Sequence, residues 1–195
     1  MPVNEDNIRE FEDFDSFYAW LSEHHATSDE LWIKIHKVGS GLKSITPKEA
    51  IDVVLCWGWI DAIRKRFDEQ SYLQRYVPRR PKSVWSKINV ENVARLSEEG
   101  RMTEHGLKQV ELAKADGRWQ RAYASAGEIR VPDDLRAAIA AVPEAQATFE
   151  KLSSQNRYAL LVRLALLKTE AGRTKRIADT VSMLQRGETI YAQSR

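Results

Sequence analysis

The apolar positions of this chain recur with two different periods, and each period predicts its own kind of element. Phe14, Phe17, Tyr18 and Leu21 fall at helical spacing, with Asp15 or Ser16 as the cap of that helix. Residues 30–36 alternate instead. Leu31, Ile33 and Ile35 point one way and Trp32, Lys34 and His36 the other, which predicts a strand with one face on a core. Gly39, Ser40 and Gly41 end it. The clearest helix start follows at Thr46, where a hydroxyl cap, Pro47 at the first helical position and Glu49 at the third compose a capping box. Ala50, Val53, Val54 and Trp57 share one face of that helix, and Gly58 ends it.

Residues 60–77 read as a hairpin, with Ile60, Ile63 and Phe67 before the turn at 68–71 and Tyr72, Leu73, Tyr76 and Val77 after it. Pro78 and Pro81 stop further strand pairing, because neither has an amide proton for the ladder. Two helices follow, over 89–99 and, capped by Thr103, over 104–114. Residues 116–130 are richer in glycine and serine and read as a connector that packs through Trp119 and Tyr123. Beyond it four short apolar stripes are all helical: Leu135, Ile139 and Val142; Phe149 and Leu152; Tyr158, Leu161, Leu164 and Ala165; Ile177, Val181 and Leu184. The fold class is therefore α+β and mostly helical: a small antiparallel sheet of three strands or fewer in the N-terminal part, then a helical C-terminal part. The expected organisation is an α+β region over 1–120, a connector over 121–130 and a helical region over 131–195.

Composition narrows the class. Hydrophobic residues make up 43% of the chain, enough for a packed core. The apolar runs are far shorter than the roughly 20 residues that a bilayer span needs, and the acidic N-terminus lacks the apolar stretch of a signal peptide. No membrane insertion is expected, and a lone cysteine among Val54, Leu55 and Trp57 reads as a buried thiol in a reducing, cytoplasmic setting. Net charge is only +2, but it is unevenly spread: residues 1–30 hold nine acids and one base, and residues 61–95 hold nine bases and four acids. These two segments either pair with each other or leave a working basic surface.

No motif spells out a reaction. HExxH, CxxC, GxSxG and GxGxxG are absent, and Gly39-Ser-Gly-Leu-Lys-Ser44 lacks the phosphate-loop spacing. His24 and His25 lie near a helix end, His36 and His105 are isolated, and no set has metal-ligand spacing, so neither a metal nor a cofactor is expected. Two stretches concentrate tryptophan and arginine: Trp57-Gly-Trp-Ile-Asp61 and Tyr76-Val-Pro-Arg-Arg-Pro-Lys-Ser-Val-Trp-Ser-Lys-Ile-Asn89. Arg79 and Arg80 are bracketed by prolines, which stiffens them, and their forked donors suit phosphate or carboxylate. Ser83, Ser86 and Asn89 follow near a helix start, where free amides favour an anion. The expected ligand-binding set is Trp59, Asp61, Arg79, Arg80, Ser83, Trp85, Ser86 and Asn89. This reading takes both arginines as exposed, so their joint replacement should leave the fold intact. A purely structural reading stands beside it: Trp57 as core, Asp61 paired with Arg64, Ser86 or Asn89 as a helix cap.

Those residues also carry a resemblance. Leu55-Cys-Trp-Gly-Trp-Ile-Asp61, Pro78 through Asn89, Gly100-Arg-Met102, Gly106 and Asp116-Gly-Arg-Trp119 resemble the bacterial YdeI or OmpD-associated (OmdA-like) family, often labelled bacteriocin-protection. So does the stretch from Val131-Pro-Asp-Asp-Leu135 through Phe149 and Leu152 to Ile177. The family pattern near its end, Ala-Lys-x-x-Glu-Thr-Arg-x-x-Arg-Ile, meets Leu167-Lys-Thr-Glu-Ala-Gly-Arg-Thr-Lys-Arg-Ile177. Lys168, Arg173, Arg176 and Ile177 match, whereas Ala171 and Gly172 depart. The resemblance implies a part in stress resistance or antimicrobial-peptide tolerance and implies no reaction, cofactor or catalytic residue. Three functions remain open. The first is a binding protein for a small anionic or phosphate-bearing ligand. The second is a nucleic-acid binder using Arg64, Lys65, Arg66, Arg79 and Arg80, with Trp59 and Trp85 as stacking platforms. The third is an enzyme using Asp61 with Arg79.

Overall fold

The computed structural model describes residue 3 and residues 5–193. Met1, Pro2 and Asn4 of the acidic N-terminal stretch, and Ser194 and Arg195 of the 131–195 region, lie outside the described residues. The chain divides into two compact units, Met1–Trp85 with Asn89–Gln120, and Ser86–Ile88 with Arg121–Arg195.

The first unit holds strands β1 (Ile8–Arg9), β2 (Leu31–His36), β3 (Trp59–Arg66) and β4 (Ser71–Pro78). They form one sheet in the order β1-β2-β4-β3. The β3–β4 pair is the expected antiparallel hairpin, with Ile60 opposite Val77, Asp61 opposite Tyr76 and a register shift between Asp61 and Arg64. Asp68 closes its turn by accepting from the amides of Gln70 (2.8 Å) and Ser71 (2.6 Å). β4 continues antiparallel onto β2. The sheet corrects the expectation of three strands at most: Ile8–Arg9 adds a fourth, parallel to β2. Two residues are too few for an alternating pattern to register.

Helices α1 (Phe14–His24) and α2 (Pro47–Cys56) supply the core of this unit, together with β2 and the start of β3. α2 starts as its capping box predicts: the Glu49 amide donates to Thr46 Oγ1 (3.2 Å) and the Thr46 amide to Glu49 Oε2 (2.9 Å). α1 is capped not by Asp15 or Ser16 but by Asp13, two positions before the first of them, whose carboxylate accepts from the Ser16 amide at 3.0 Å. Ser16 is the reciprocal partner in that box rather than the cap. Phe17, Leu21, Ile33, Ile35, Val53 and Val54 are buried together. Trp32, on the opposite face of β2, is also fully buried. α3 (Lys87–Glu98) and α4 (Glu104–Ala115) follow. Asp52 of α2 accepts from Arg95 of α3 at 2.6 Å.

The second unit is helical: α5 (Asp133–Ala140), α6 (Pro143–Glu150), α7 (Ser154–Ala165) and α8 (Glu170–Gln185). Its core joins Leu135, Ile139, Phe149, Leu161, Leu164 and Leu184. Arg173 of α8 grips Asp134 of α5 through two bonds of 2.6 and 2.8 Å. Buried Asn156 fixes the segment after α8, donating to the Tyr191 carbonyl (3.1 Å) and accepting from its amide (2.8 Å). Among the described residues no helix is long and apolar enough to cross a membrane.

Candidate functional site

The Trp57-Gly58-Trp59 segment is where α2 turns into β3, and its shape is set by two glycines. Gly58 has a φ of +71°, in the left-handed region that costs glycine nothing. Gly106, in the first turn of α4, sits so close to the end of α2 that a Cβ there would lie 2.4 Å from the Cys56 carbonyl oxygen and 2.6 Å from that of Leu55. Thr103 seals the contact. Its hydroxyl donates to the Cys56 carbonyl (2.6 Å) and accepts from the Gly106 amide (3.3 Å). The Cys56 carbonyl at the end of α2 is thus satisfied by the cap of α4.

This turn sends its two indoles to different places. Trp59 is buried and donates its Nε1–H to the His25 carbonyl at 3.3 Å. Trp57 is half-buried, with ring centroids 4.7 Å from His25 and 5.8 Å from His105. The two imidazoles are themselves 4.1 Å apart. The Arg79 amide donates to the Gly58 carbonyl (3.0 Å), bringing the Pro78–Arg79 step to the same turn.

A shallow cleft of about 210 Å³ results, lined by these aromatic and imidazole rings and by Arg79, Lys108 and Gln109. No described carboxylate lines it; exposed Glu104 lies 3.7 Å from His105 Nε2. The Arg79 guanidinium lies 3.6 Å from the centroid of the Trp85 ring and donates to the Val84 carbonyl at 3.2 Å. Stacking on an indole face offsets part of the cost of holding that charge away from water. Trp85 is in turn packed edge-on to Trp119, 4.9 Å away.

Asp61 lies beside this cation. Its residue keeps solvent contact, yet the surrounding protein desolvates the carboxyl enough to raise it above the ordinary carboxylate range. Its own backbone and then the charges of Arg79 and Arg64 pull the other way without cancelling the effect. Cys56, by contrast, is not activated: burial, then the charge of Asp52, pushes its thiol up to about 12. The arrangement offers positive charge and hydrogen-bond donors against flat apolar walls.

Of the residues singled out from the sequence, Trp59 and Arg79 line the cleft, Trp85 backs Arg79, and Asp61 acts on it by charge. The structure does not bring the others to the cleft lining. Arg80 is exposed, and its amide donates to Ser83 Oγ (3.0 Å). The Ser83 carbonyl accepts from Arg118 (2.7 Å). Ser86 belongs with the second unit, bridged to Tyr123, and Asn89 is a half-buried residue of α3. Two expectations are corrected. Arg79 is only 7% exposed, so its replacement cannot be assumed harmless to the fold. Trp59 and Trp85 are each 1% exposed, so no nucleic-acid base can stack on their faces. No sequence pattern marks His25, His105, Lys108 and Gln109 as a set, because the stretches that carry them lie some eighty positions apart and the glycine-mediated contact unites them.

Residues 9–109 match a family model described as a domain of unknown function (DUF8412). Residues 128–187 match the model described as Bacteriocin-protection, YdeI or OmpD-Associated. The YdeI resemblance therefore holds for the C-terminal region and not for the tryptophan- and arginine-rich motif, which falls within the other model. No curated protein and no solved structure matches the chain. By a match over just more than half of its 195 residues the chain belongs to the DUF8412 family, and its C-terminal region is related to the YdeI/OmpD-associated proteins.

Proposed function

We propose that this chain is a binding protein for a small phosphate-bearing anion, taken up in the cleft between the end of α2, the start of α4 and the Pro78–Arg79 step. The observation that carries the reading is the placement of Arg79, buried on the Trp85 face yet lining a cleft with Lys108 and two imidazoles and no described carboxylate. A guanidinium held in this way has already lost its side-chain freedom, so less entropy is spent when an anion arrives. The flat rings of Trp57 and His25 suit an apolar or aromatic part of the same ligand. The relation of residues 128–187 to the bacteriocin-protection family supports a part in stress or antimicrobial-peptide tolerance.

Inorganic pyrophosphate is the simplest probe, followed by isothermal titration calorimetry. Lys108 is exposed, so Lys108→Gln should leave the unfolding midpoint unchanged and weaken binding about tenfold, the loss expected for one charge-assisted bond. No heat of binding for wild type, or equal affinity in the variant, would remove the reading.

A further inference from the structure

A cavity lies within the second unit, and the reading of the first unit's cleft plays no part in it. It has a volume of about 510 Å³, inside the range of small-molecule sites. Its floor is apolar: Ile129, Val131, Ile139, Phe149 and Leu161 all line it, and the last three are buried core. Three arginines line it as well, Arg130, Arg136 and Arg157, and no described carboxylate does.

How these arginines are held is the informative part. Each donates to one backbone carbonyl: Arg130 to Gly127 (3.3 Å), Arg136 to Val131 (3.1 Å) and Arg157 to Phe149 (3.2 Å). Arg157 also stacks 4.8 Å from the Phe149 ring. A carbonyl tether orients a guanidinium without neutralising it. Only Arg136, among the three, comes within ion-pair distance of a described carboxylate, Asp133 at 3.4 Å. Asp133 is itself 97% exposed, so its hold on the charge is weak. Three pre-oriented cations over an apolar floor are complementary to a molecule with an anionic head and an apolar body.

We infer that this cavity binds a small amphiphilic carboxylate, with its aliphatic or aromatic body on the Ile139–Phe149–Leu161 floor and its head among Arg130, Arg136 and Arg157. The forked donors of two of these arginines would share the carboxylate oxygens, while the tethering bonds to the backbone remain in place.

Octanoate is a suitable probe, with 1-octanol as a body lacking the charge and inorganic phosphate as a charge lacking the body. Methyl-resolved NMR of the full chain reads the site directly. The expected result is saturable shifts of the Ile129, Val131, Ile139 and Leu161 methyls with octanoate, the same shifts at about tenfold weaker affinity with octanol, and none with phosphate. Arg157→Gln and Arg136→Gln should each weaken octanoate about tenfold. Arg136 is exposed, so its variant stays informative should Arg157→Gln not fold. Octanoate shifts confined to other methyls, or octanol binding as tightly as octanoate, would overturn the assignment. Unchanged affinity in Arg136→Gln would do the same.

Discussion

The two units of this chain place their cations in opposite ways. In the first, the guanidinium of Arg79 is 7% exposed, pressed on an indole and set at a cleft of only about 210 Å³. In the second, Arg130 and Arg136 are exposed around about 510 Å³ of space. The contrast follows from composition. All six tryptophans lie at or before position 119, so only the first unit can rest a buried charge on an indole, and Arg157 of the second has the smaller Phe149 ring instead. The second unit is built from short helices, two of them only eight residues long, and leaves between them a hollow that side chains do not fill. A tight cation site and an open amphipathic one are what these two materials produce.

The largest test of that contrast removes the indole. Trp85→Ala should destabilise the protein by about 4 kcal/mol in a denaturant melt, through the lost burial and the unstacked Arg79. A loss below about 1 kcal/mol would mean that Arg79 does not depend on that face. Packing density gives the next comparison. Gly106→Val should cost on the order of 3 kcal/mol, since even its Cβ would meet the Cys56 and Leu55 carbonyls. Gly127→Ala, with nothing within 4 Å of the added Cβ, should stay within about 0.5 kcal/mol. Equal effects at the two glycines would erase the difference in packing. Thr46→Ala should cost about 1 kcal/mol by removing one side of the α2 capping box.

Smaller still is an effect of pH. Asp61 has a raised carboxyl pKa, so its ionised form is the disfavoured one in the folded state. Its contribution to stability is full below the unfolded carboxylate range, roughly pH 4, and is lost as the pH rises through the folded value. Asp61→Asn should therefore raise the unfolding midpoint slightly at neutral pH, with the gain shrinking as the solution is acidified. A variant less stable than wild type at pH 7 would show that the ionised carboxylate is needed, as a partner of Arg79 or Arg64. Cys56 supplies a last check on the close-packed unit. With its thiol pushed up to about 12 and buried, it should resist a disulfide reagent until the protein unfolds.

Much of the fold is legible in the amino-acid order, because local rules and global packing agree there. The Thr46 box, the Thr103 cap and the alternation of Leu31, Ile33 and Ile35 each act within a few residues. The parallel strand at Ile8–Arg9 was not legible, since its only specification is a partner more than twenty positions away. The site divides along the same line. Proline-stiffened arginines beside tryptophans point to Arg79, Trp59 and Trp85, but the close approach of α4 to the end of α2 rests on Gly58 and Gly106, whose role is contact and not pattern. The pairing of His25 with His105 and the hollow in the helical unit arise only when separate elements meet.

The central claim is that a phosphate-bearing anion enters the cleft beside Arg79. The most direct measurement is a proton NMR titration with inorganic pyrophosphate that follows the imidazole ring signals of the four histidines. The account predicts saturable shifts at His25 and His105, whose rings lie 4.1 Å apart at that cleft, and a still signal from His36 of β2. Shifts at His36 alone, or four unmoved signals at saturating pyrophosphate, would contradict it.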